Sequence, residues 1–250
     1  MNEMSDSIIW ISGATEGIGL GLARTVPYPG ARIINLSRRQ HPDYETVQFD
    51  LTKPETWDTV GAHFVHELAS FKGQRAIFIH NAFYRGKPAF AGETDPNLYK
   101  DQIIANGMAP QLLGDMFLRA VKSGYESGLV LMSSAGARSP FLGQSSYCAS
   151  KAGVEMWVRV VRRELKQRRR HTWVVAIRPG FVDTPTTRDA AAHSANIYPI
   201  APQIGKQLES RVGVMTPDES GAGIWAMLPP KEDTSVLLQG EMVVAGQQSN

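Results

Sequence analysis

A tyrosine and a lysine four positions apart are the residues of this sequence best suited to proton transfer. Tyr147 and Lys151 belong to the segment Tyr-Cys-Ala-Ser-Lys, and residues at this spacing share one face of a helix. A neighbouring cation lowers the pKa of a phenol from its usual value of about 10, which suits a general acid that protonates a carbonyl oxygen. Ser134, at the end of a predicted strand, could place its hydroxyl against the same oxygen.

A glycine-rich segment, Ser-Gly-Ala-Thr-Glu-Gly-Ile-Gly at residues 12–19, separates the first predicted strand from the first predicted helix. Glycines let the backbone turn tightly and approach a pyrophosphate, and the helix that follows offers its N-terminal N–H groups to the phosphates. The spacing is Gly-x-x-x-Gly-x-Gly, whereas the commoner fingerprint is Gly-x-Gly-x-x-Gly. Its place between strand and helix predicts a dinucleotide-binding loop.

The end of the second predicted strand reads Asn-Leu-Ser-Arg-Arg at residues 35–39. A carboxylate at this place binds the ribose 2′-hydroxyl of NAD(H) and repels a 2′-phosphate. The segment has no carboxylate, and the guanidinium groups of Arg38 and Arg39 could clamp a phosphate. Solvated arginines on a loop are the ordinary alternative. The position favours the clamp and predicts NADP(H) as the cofactor.

Short apolar runs alternate with longer amphipathic patterns along the chain. The predicted strands span residues 7–11, 32–36, 46–49, 76–79, 129–132, 173–177 and 236–244. The predicted helices run from the glycine-rich segment to about residue 26, and over 54–71, 98–121 with interruptions at Gly107 and Pro110, 147–170 and 217–228. Apolar strands alternating with helices are typical of a parallel sheet covered on both faces. The sequence therefore predicts an α/β fold with one Rossmann-type, doubly wound sheet of about seven strands.

The composition of the 250 residues provides enough apolar material for a full core. Hydrophobic residues make up 42%, charged residues 20%, and the net charge is +2, which does not favour nucleic acid or a membrane as partner. The single cysteine, Cys148, excludes an internal disulfide and a multi-cysteine metal site, and we expect no metal. We expect one domain over residues 1–250, with an irregular segment at 184–216 that provides a substrate lid at about 185–215.

The N-terminal residues lack the basic start and the apolar core of a signal peptide. No apolar run approaches the roughly 18 residues that are needed to span a bilayer. We therefore expect a cytoplasmic location.

These motifs together resemble those of the short-chain dehydrogenase/reductase family. The resemblance covers nearly the whole chain and rests on the glycine-rich segment, Asp50-Leu51, His80-Asn81-Ala82, Asn106, Ser134, Tyr-Cys-Ala-Ser-Lys and Arg-Pro-Gly-Phe-Val-Asp-Thr at residues 178–184. It implies a nicotinamide-dependent oxidoreductase that acts on carbonyl or CH–OH groups. It also implies a homodimer or homotetramer, because family members commonly pair the helices at 98–121 and 147–170 across a two-fold axis.

In that family an Asn, a Ser, a Tyr and a Lys form a catalytic tetrad, which corresponds here to Asn106, Ser134, Tyr147 and Lys151. The resemblance implies that Tyr147 exchanges the proton, that Ser134 orients and polarises the carbonyl, and that Lys151 holds the nicotinamide ribose and lowers the pKa of Tyr147. The residues that it implies contact the cofactor are Gly13, Thr15, Glu16, Gly17, Ile18, Gly19, Ser37, Arg38, Arg39, Asp50, Leu51, Asn81, Ala82, Tyr147, Lys151, Pro179, Gly180, Val182 and Thr184.

A role for Asn106 can also be inferred from its neighbours in the sequence. Pro110, four residues later, lacks the N–H group that would bind the Asn106 carbonyl oxygen in a regular helix. That oxygen is left to hold a water molecule, which is the proton-relay role that the family gives it. A helix kinked by proline for packing alone is the alternative explanation, and both can hold.

The chain departs from the family pattern after the fourth strand, where His-Asn-Ala-Phe at residues 80–83 replaces the usual Asn-Asn-Ala-Gly. The Phe83 ring could shift this loop or form a wall of the substrate pocket, and His80 is interpreted as a hydrogen-bonded structural group. The residues expected around an apolar substrate are Phe83, Tyr84, Phe141, Phe181, Ile197 and Tyr198. Positions in the core or in a subunit interface are the alternative for several of them.

The short connection at residues 39–47 leaves no room for the helix that usually joins the second and third strands. Together with Leu-Ser-Arg-Arg at 36–39, the segment at 139–151 and Phe-Val-Asp-Thr-Pro at 181–185, it is similar to the branch that contains sepiapterin reductase and benzil reductase. The resemblance implies that NADPH reduces a ketone or one carbonyl of a vicinal diketone.

Other interpretations of these patterns stay open. Taken singly, Tyr147 is also explained as a core residue, Lys151 as a solvated residue and Ser134 as a capping residue. The enzyme could oxidise an alcohol, or the chain could be a dinucleotide-binding sensor or scaffold with little turnover.

A basic stripe on the long helix consists of Arg159, Arg162, Arg163, Lys166 and Arg170. A solvated face or an oligomer contact explains it better than a nucleic-acid surface, because few aromatic residues flank it.

Overall fold

Seven parallel strands pair side by side at the centre of the molecule. The computed structural model describes residues 6–240. The strands are β1 (Ser7–Ser12), β2 (Arg32–Ser37), β3 (Glu45–Gln48), β4 (Arg75–His80), β5 (Glu126–Met132), β6 (Trp173–Arg178) and β7 (Val236–Leu238). Their order across the sheet is β3-β2-β1-β4-β5-β6-β7. The order reverses between β1 and β4, the kind of place where α/β sheets bind ligands.

Helices cover both faces of this sheet. They are α1 (Gly17–Arg24), α2 (Trp57–Ala69), α3 (Pro96–Ile103), α4 (Ala109–Ala120), α5 (Ser145–Gln167), α6 (Pro185–Ala191), α7 (Ala201–Ser210) and α8 (Pro217–Ala226). Helices α1 and α8 pack on one face, and α2, α4 and α5 pack on the other. The predicted Rossmann-type, doubly wound fold with about seven strands is confirmed.

Strand β1 shows why continuous apolar runs predict this sheet correctly. Ile9 and Ile11 pack into the core on the side of α1 and α8, while Ile8 and Trp10 pack into the core on the opposite side. Side chains alternate between the faces of a strand, so a strand covered on both faces needs apolar residues throughout. Trp10 lies edge-on to Phe64 of α2, with 5.3 Å between the ring centroids, which orients α2 against the sheet.

The segment at 184–216 is not the irregular stretch that the sequence predicts, because it contains α6 and α7. Pro185 and Pro202 stand in the first turns of these helices. A proline fits there, since its φ is already helical and its missing N–H would have no partner within the helix. The prolines therefore begin helices here. The segment has a small core of its own that includes Phe181 and Tyr198.

Several boundaries differ from the predicted ones by a few residues. Helix α5 ends before Arg169, whose φ of 53° is a left-handed conformation that terminates a helix. The helix predicted at 98–121 is divided by a π-helical turn between α3 and α4. Residues 38–44, all of them described, contain no helix, as predicted. The last predicted strand continues to residue 244, and its part beyond residue 240 lies outside the described residues.

Candidate active site

A cleft of about 530 Å³ opens at the carboxyl ends of the strands. Its lining comes from the glycine-rich segment after β1 and from the segments that follow β2, β3, β4, β5 and β6. All residues predicted to bind the cofactor or to catalyse line this cleft except Gly19 and Asn106. The parallel topology thus brings together side chains that are distant in the sequence.

The glycine-rich segment adopts conformations that favour glycine. Gly13 and Gly17 have φ values of 72° and 55°, which other residues rarely adopt. A Cβ atom on Gly19 would lie 2.1 Å from the main-chain oxygen of Gly13 and 2.6 Å from Nδ2 of Asn81. Gly19 therefore allows the loop to pack closely on itself, although it does not line the cleft. Because α1 begins at Gly17, the N-terminus of this helix lies at the cleft, and the cradle fits a dinucleotide.

Ser12, which the sequence analysis does not single out, organises the segment after β4. Its oxygen accepts hydrogen bonds from the main-chain N–H groups of Asn81 and Ala82, both at 2.9 Å. The Ser12 proton is therefore directed to Nδ1 of His80 at 3.3 Å, so that the imidazole proton is on Nε2. Burial, together with the charge of Lys151, lowers the pKa of His80 to about 3. A serine that ends an apolar strand is the sequence signal for this role.

Asn35 holds the glycine-rich segment against the end of β2, and sequence reasoning missed this role as well. Its buried amide accepts from the main-chain N–H of Ala14 at 3.1 Å and donates to the main-chain oxygen of Arg39 at 3.1 Å. It also donates to the hydroxyl of Thr46 at 3.0 Å. A buried amide needs such partners, so an asparagine inside an apolar strand is itself a usable signal.

Arg38 and Arg39 lie at the cleft, each beside a carboxylate from a neighbouring loop. Nη2 of Arg39 is 3.1 Å from Oε2 of Glu16 and donates to the Thr15 hydroxyl at 2.9 Å. Nη1 of Arg38 is 3.9 Å from Oδ2 of Asp50. The side chains of Arg38 and Arg39 are 72% and 63% exposed, so these ion pairs are weak. Both guanidinium groups are therefore accessible to a phosphate.

Ser134 and Tyr147 both line the cleft, and they are close enough for the Ser134 hydroxyl to influence the phenol of Tyr147. Ser134 lies just beyond β5 in an extended conformation, and its hydroxyl accepts from the N–H of Gly136 at 3.1 Å. Burial raises the pKa of Tyr147, and the neighbouring Ser134 hydroxyl offsets this rise only in part. The phenol is therefore protonated at neutral pH.

Lys151 lies one turn after Tyr147 on α5, and its Nζ donates to the main-chain oxygen of Met132 at 2.7 Å. This Nζ is 5.7 Å from the centre of the Tyr147 ring and 5.9 Å from the centre of the Phe83 ring. Burial lowers the pKa of Lys151 to about 8. The expected lowering of the Tyr147 pKa is not found as a net change in the structure. The net change is upward, because desolvation of the phenol dominates.

Asn106 does not line the cleft and lies in the π-helical turn between α3 and α4. There the N–H of Ala109 binds the oxygen of Ile104, which widens the helix just before Pro110. The Asn106 side chain accepts from the main-chain N–H of Tyr84 at 2.8 Å and donates to the main-chain oxygen of Tyr84 at 2.9 Å. It thereby fixes the loop after β4. A proton relay through the Asn106 carbonyl stays a prediction.

Phe83 and Tyr84 line the cleft, and the centre of the Phe83 ring is 6.1 Å from that of Tyr147. The other residues expected around a substrate do not line it: Phe141, Phe181, Ile197 and Tyr198. Phe181 and Tyr198 belong to the small core of the segment with α6 and α7, and Phe141 packs against them. Burial, with smaller effects from Tyr147 and Cys148, raises the pKa of Tyr198.

A cluster of possible metal ligands lies outside the cleft, where ligand atoms of Glu45, His63 and Glu67 are within 4.8 Å of one another. Arg32 donates to both carboxylates, with 2.6 Å between its Nη2 and Oε2 of Glu45. A guanidinium therefore already balances these charges. The cluster is explained as an ion-pair network between β2, β3 and α2.

Comparison with known proteins agrees with this geometry. A model of the short chain dehydrogenase family matches residues 7–195. The chain belongs to this family. It is an oxidoreductase of carbonyl or alcohol groups that binds a nicotinamide dinucleotide.

Two similar curated relatives of this short chain dehydrogenase are benzil reductases that form (S)-benzoin. The protein from Bacillus cereus is 26% identical over 188 residues, which cover 70% of this chain and 75% of the relative. The protein from Bacillus subtilis is 28% identical over 180 residues, which cover 70% of this chain and 74% of the relative. These relatives support the branch that the sequence predicts.

Solved structures of similar fold include an aldohexose dehydrogenase from Thermoplasma acidophilum, with a TM-score of 0.77 and 20% identity over 99% of this chain and 98% of that one. A variant of the actinorhodin polyketide ketoreductase, solved with NADPH, gives a TM-score of 0.77 and 21% identity over 95% of this chain and 97% of that one. At identities this low, the structural similarity establishes the fold alone.

Within residues 6–240, the helices are too short or too polar to cross a bilayer.

Proposed function

We propose that this short chain dehydrogenase uses NADPH to reduce a ketone, or one carbonyl of a vicinal diketone, to an alcohol, with Tyr147 as general acid. The observation that carries the proposal is that Ser134, Tyr147 and Lys151 line the same cleft as the glycine cradle. A proton donor beside a dinucleotide-binding loop suits hydride transfer to a carbonyl carbon with protonation of its oxygen.

Tyr147 and Ser134 act on the substrate oxygen. Their hydroxyls both donate to a carbonyl oxygen placed between them and stabilise the negative charge that develops on it during reduction. The phenolic proton of Tyr147 then moves to this oxygen. When bound, the nicotinamide supplies the hydride. Because burial raises the pKa of Tyr147, the phenol is in its acid form at neutral pH, which favours reduction over alcohol oxidation.

The ammonium group of Lys151 supports this proton transfer. One of the three N–H donors of its ammonium binds the Met132 oxygen, and two remain for the hydroxyls of the nicotinamide ribose. Its positive charge stabilises the phenolate that Tyr147 becomes after giving up its proton. The Asn106 carbonyl remains our candidate for the water of a proton relay.

The remaining cofactor contacts follow from the cleft lining. Arg38 and Arg39 would clamp the 2′-phosphate of NADPH, which favours this cofactor over NADH. Asp50 and Leu51 would flank the adenine. The segment beyond β6 would hold the carboxamide through Val182 and Thr184, with Pro179 and Gly180 shaping the turn.

An aromatic wall supports a bulky substrate. Phe83 stands where family members usually have glycine, and its ring lies beside Tyr147. The curated relatives are named for benzil, a vicinal diketone with two aromatic rings. We therefore propose an aryl ketone or aryl diketone as substrate, with α6 and α7 forming the lid over it.

Exposed apolar side chains on neighbouring helices support the proposed homodimer or homotetramer. Met108 and Leu112 are exposed at the α4 side, and Met156 and Val160 are exposed on α5. A second copy of the chain would cover these side chains by a two-fold axis between the helices. The single domain over residues 1–250 and the cytoplasmic location stay part of this proposal.

The test is to follow NADPH and, separately, NADH consumption with benzil and with a single aryl ketone. We expect NADPH to be oxidised at least tenfold more efficiently than NADH, with a hydroxy ketone as the product from benzil. A preference for NADH would overturn the phosphate clamp. Tight NADPH binding without turnover of any carbonyl, and without oxidation of the matching alcohols by NADP, would favour a sensor or scaffold.

A further inference from the structure

Glu155 is a buried carboxylate of α5 that the proposed reaction does not use. It is 3% exposed and lies one helical turn beyond Lys151 on the same face of the helix. Oε1 accepts from the Ser133 hydroxyl at 2.8 Å and from Nε of Arg178 at 2.7 Å, and Oε2 accepts from Nη2 of Arg178 at 2.8 Å. Arg159 adds a longer contact of 3.7 Å to Oε2.

This carboxylate is fully paired. Burial alone would raise the pKa of Glu155, but hydrogen bonds from Arg178 and Ser133 lower it below its usual value. A two-pronged contact between arginine and carboxylate fixes the relative orientation of both groups. Buried ion pairs contribute little net stability compared with an apolar contact, and their best-supported use is to specify one geometry. The arrangement therefore calls for a role beyond stability.

The partners of Glu155 adjoin two different walls of the cleft. Ser133 lies between Met132, whose oxygen binds Lys151, and Ser134, which lines the cleft together with Tyr147. Arg178 is the last residue of β6 and directly precedes the Pro-Gly turn at residues 179–180. Segments 132–134 and 178–180 both line the cleft. The Glu155 carboxylate on α5 thus connects the wall that contains Ser134 to the wall that is expected to hold the carboxamide.

We propose that Glu155 is a positioning residue, whose carboxylate sets the spacing between the segment with Ser134 and the turn that follows Arg178. This inference rests on the proposed function, because it assigns the two walls to the substrate carbonyl and to the nicotinamide. If the spacing relaxes, the reacting groups lose alignment, and misplacement by about 1 Å costs on the order of 100-fold in rate. The cofactor loses affinity at the same time.

The test uses Glu155→Gln, which keeps the size of the side chain and removes its charge. Arg178→Lys keeps the positive charge and removes the two-pronged contact, and Ser133→Ala removes the third hydrogen bond. Glu164→Gln is the matched control, because Glu164 is on the same helix and exposed. NADPH affinity is measured by fluorescence titration, and kcat is measured with a ketone as substrate. Both measurements are made at a temperature at which circular dichroism shows each variant to be folded.

We expect Glu155→Gln and Arg178→Lys to lower kcat by about 10- to 100-fold and to raise the Kd for NADPH at least threefold, while Glu164→Gln matches the wild type. We expect Ser133→Ala to lower kcat by a smaller factor. A lower melting temperature with unchanged kcat and Kd would make the network purely structural and overturn the proposal. If Glu155→Gln does not fold, the kcat and Kd of Arg178→Lys distinguish the positioning role from the purely structural one.

The titration separates this inference from the proposed function. A wild-type protein that binds NADPH but reduces no carbonyl contradicts the proposed function. The Kd values of the variants still decide whether Glu155 positions the cofactor wall, since they need no substrate.

Discussion

Nζ of Lys151 lies 2.7 Å from the main-chain oxygen of Met132, which ties this lysine to the end of β5. The contact holds the ammonium in a buried place, where desolvation lowers the pKa of Lys151 to about 8. The lysine is therefore charged below this pH and becomes neutral above it. Its charge state changes close to physiological pH, whereas the phenol of Tyr147 stays protonated there.

The first prediction concerns the pH dependence that follows. We expect kcat/KM for ketone reduction to be constant below about pH 8 and to fall above it, because neutral Lys151 no longer stabilises the phenolate. In Lys151→Arg the guanidinium stays charged at all accessible pH values. We expect this variant to be slower but to lack the fall near pH 8. An identical fall in both proteins would assign the titration to another group.

The second prediction concerns the two arginines at the end of β2. Charge-assisted hydrogen bonds contribute about 1.5–3 kcal/mol each, so we expect Arg38→Ala and Arg39→Ala to raise the Kd for NADPH by about tenfold or more. The Kd for NADH should change less than about threefold. Arg119→Ala serves as control, because this arginine is 78% exposed and pairs with Asp115 on the same helix. Equal losses for both cofactors would contradict the phosphate clamp.

The third prediction concerns the cradle after β1. In Gly19→Ala the new Cβ would meet the Gly13 oxygen at 2.1 Å, so the loop must shift away from its position at the cleft. We expect at least tenfold weaker NADPH binding. Gly205→Ala makes the same change in α7, where nothing lies within 4 Å of the added atom, and we expect no loss of binding. Equal affinities of the two variants would show that loop geometry does not govern cofactor binding.

The fourth prediction concerns the amide of Asn106, which holds both main-chain polar groups of Tyr84. Asn106→Ala leaves these groups without their partners, and each costs about 1–3 kcal/mol if it stays buried. We expect the free energy of unfolding in urea to fall by about 2 kcal/mol and kcat to fall with it. Asn97→Ala, at an exposed position of α3, should leave both unchanged. A fully stable Asn106→Ala protein would show that the loop after β4 has other anchors.

Features that depend on local pattern could be predicted from the sequence. The run of isoleucines and Trp10 in β1 predicts a strand buried on both faces, and the core contains all of these side chains. The glycine-rich segment and the Tyr–Lys spacing likewise fix which residues meet at one end of the sheet. These features need only the periodicity of strands and helices and the way parallel strands end together.

Features that depend on pairing between distant segments could not be predicted. Ser12 binds the segment after β4, and Glu155 binds Ser133 and Arg178, across gaps of 22 to 70 positions. Only the folded topology decides such partners, although a polar residue inside an apolar pattern marks where to look. Pro185 was ambiguous for a different reason, since proline both interrupts helices and begins them. The raised pKa of Tyr147 depends on burial, which the Tyr–Lys spacing does not report.

The measurement that tests the central claim most directly compares wild type and Tyr147→Phe in a single turnover of benzil with saturating NADPH. Titration of NADPH accompanies it as a control. If Tyr147 gives the proton to the carbonyl oxygen, the variant should bind NADPH within about threefold of the wild type and lose at least about 100-fold in rate. Equal rates for the two proteins, at equal NADPH affinity, would contradict the assignment of Tyr147 as the general acid.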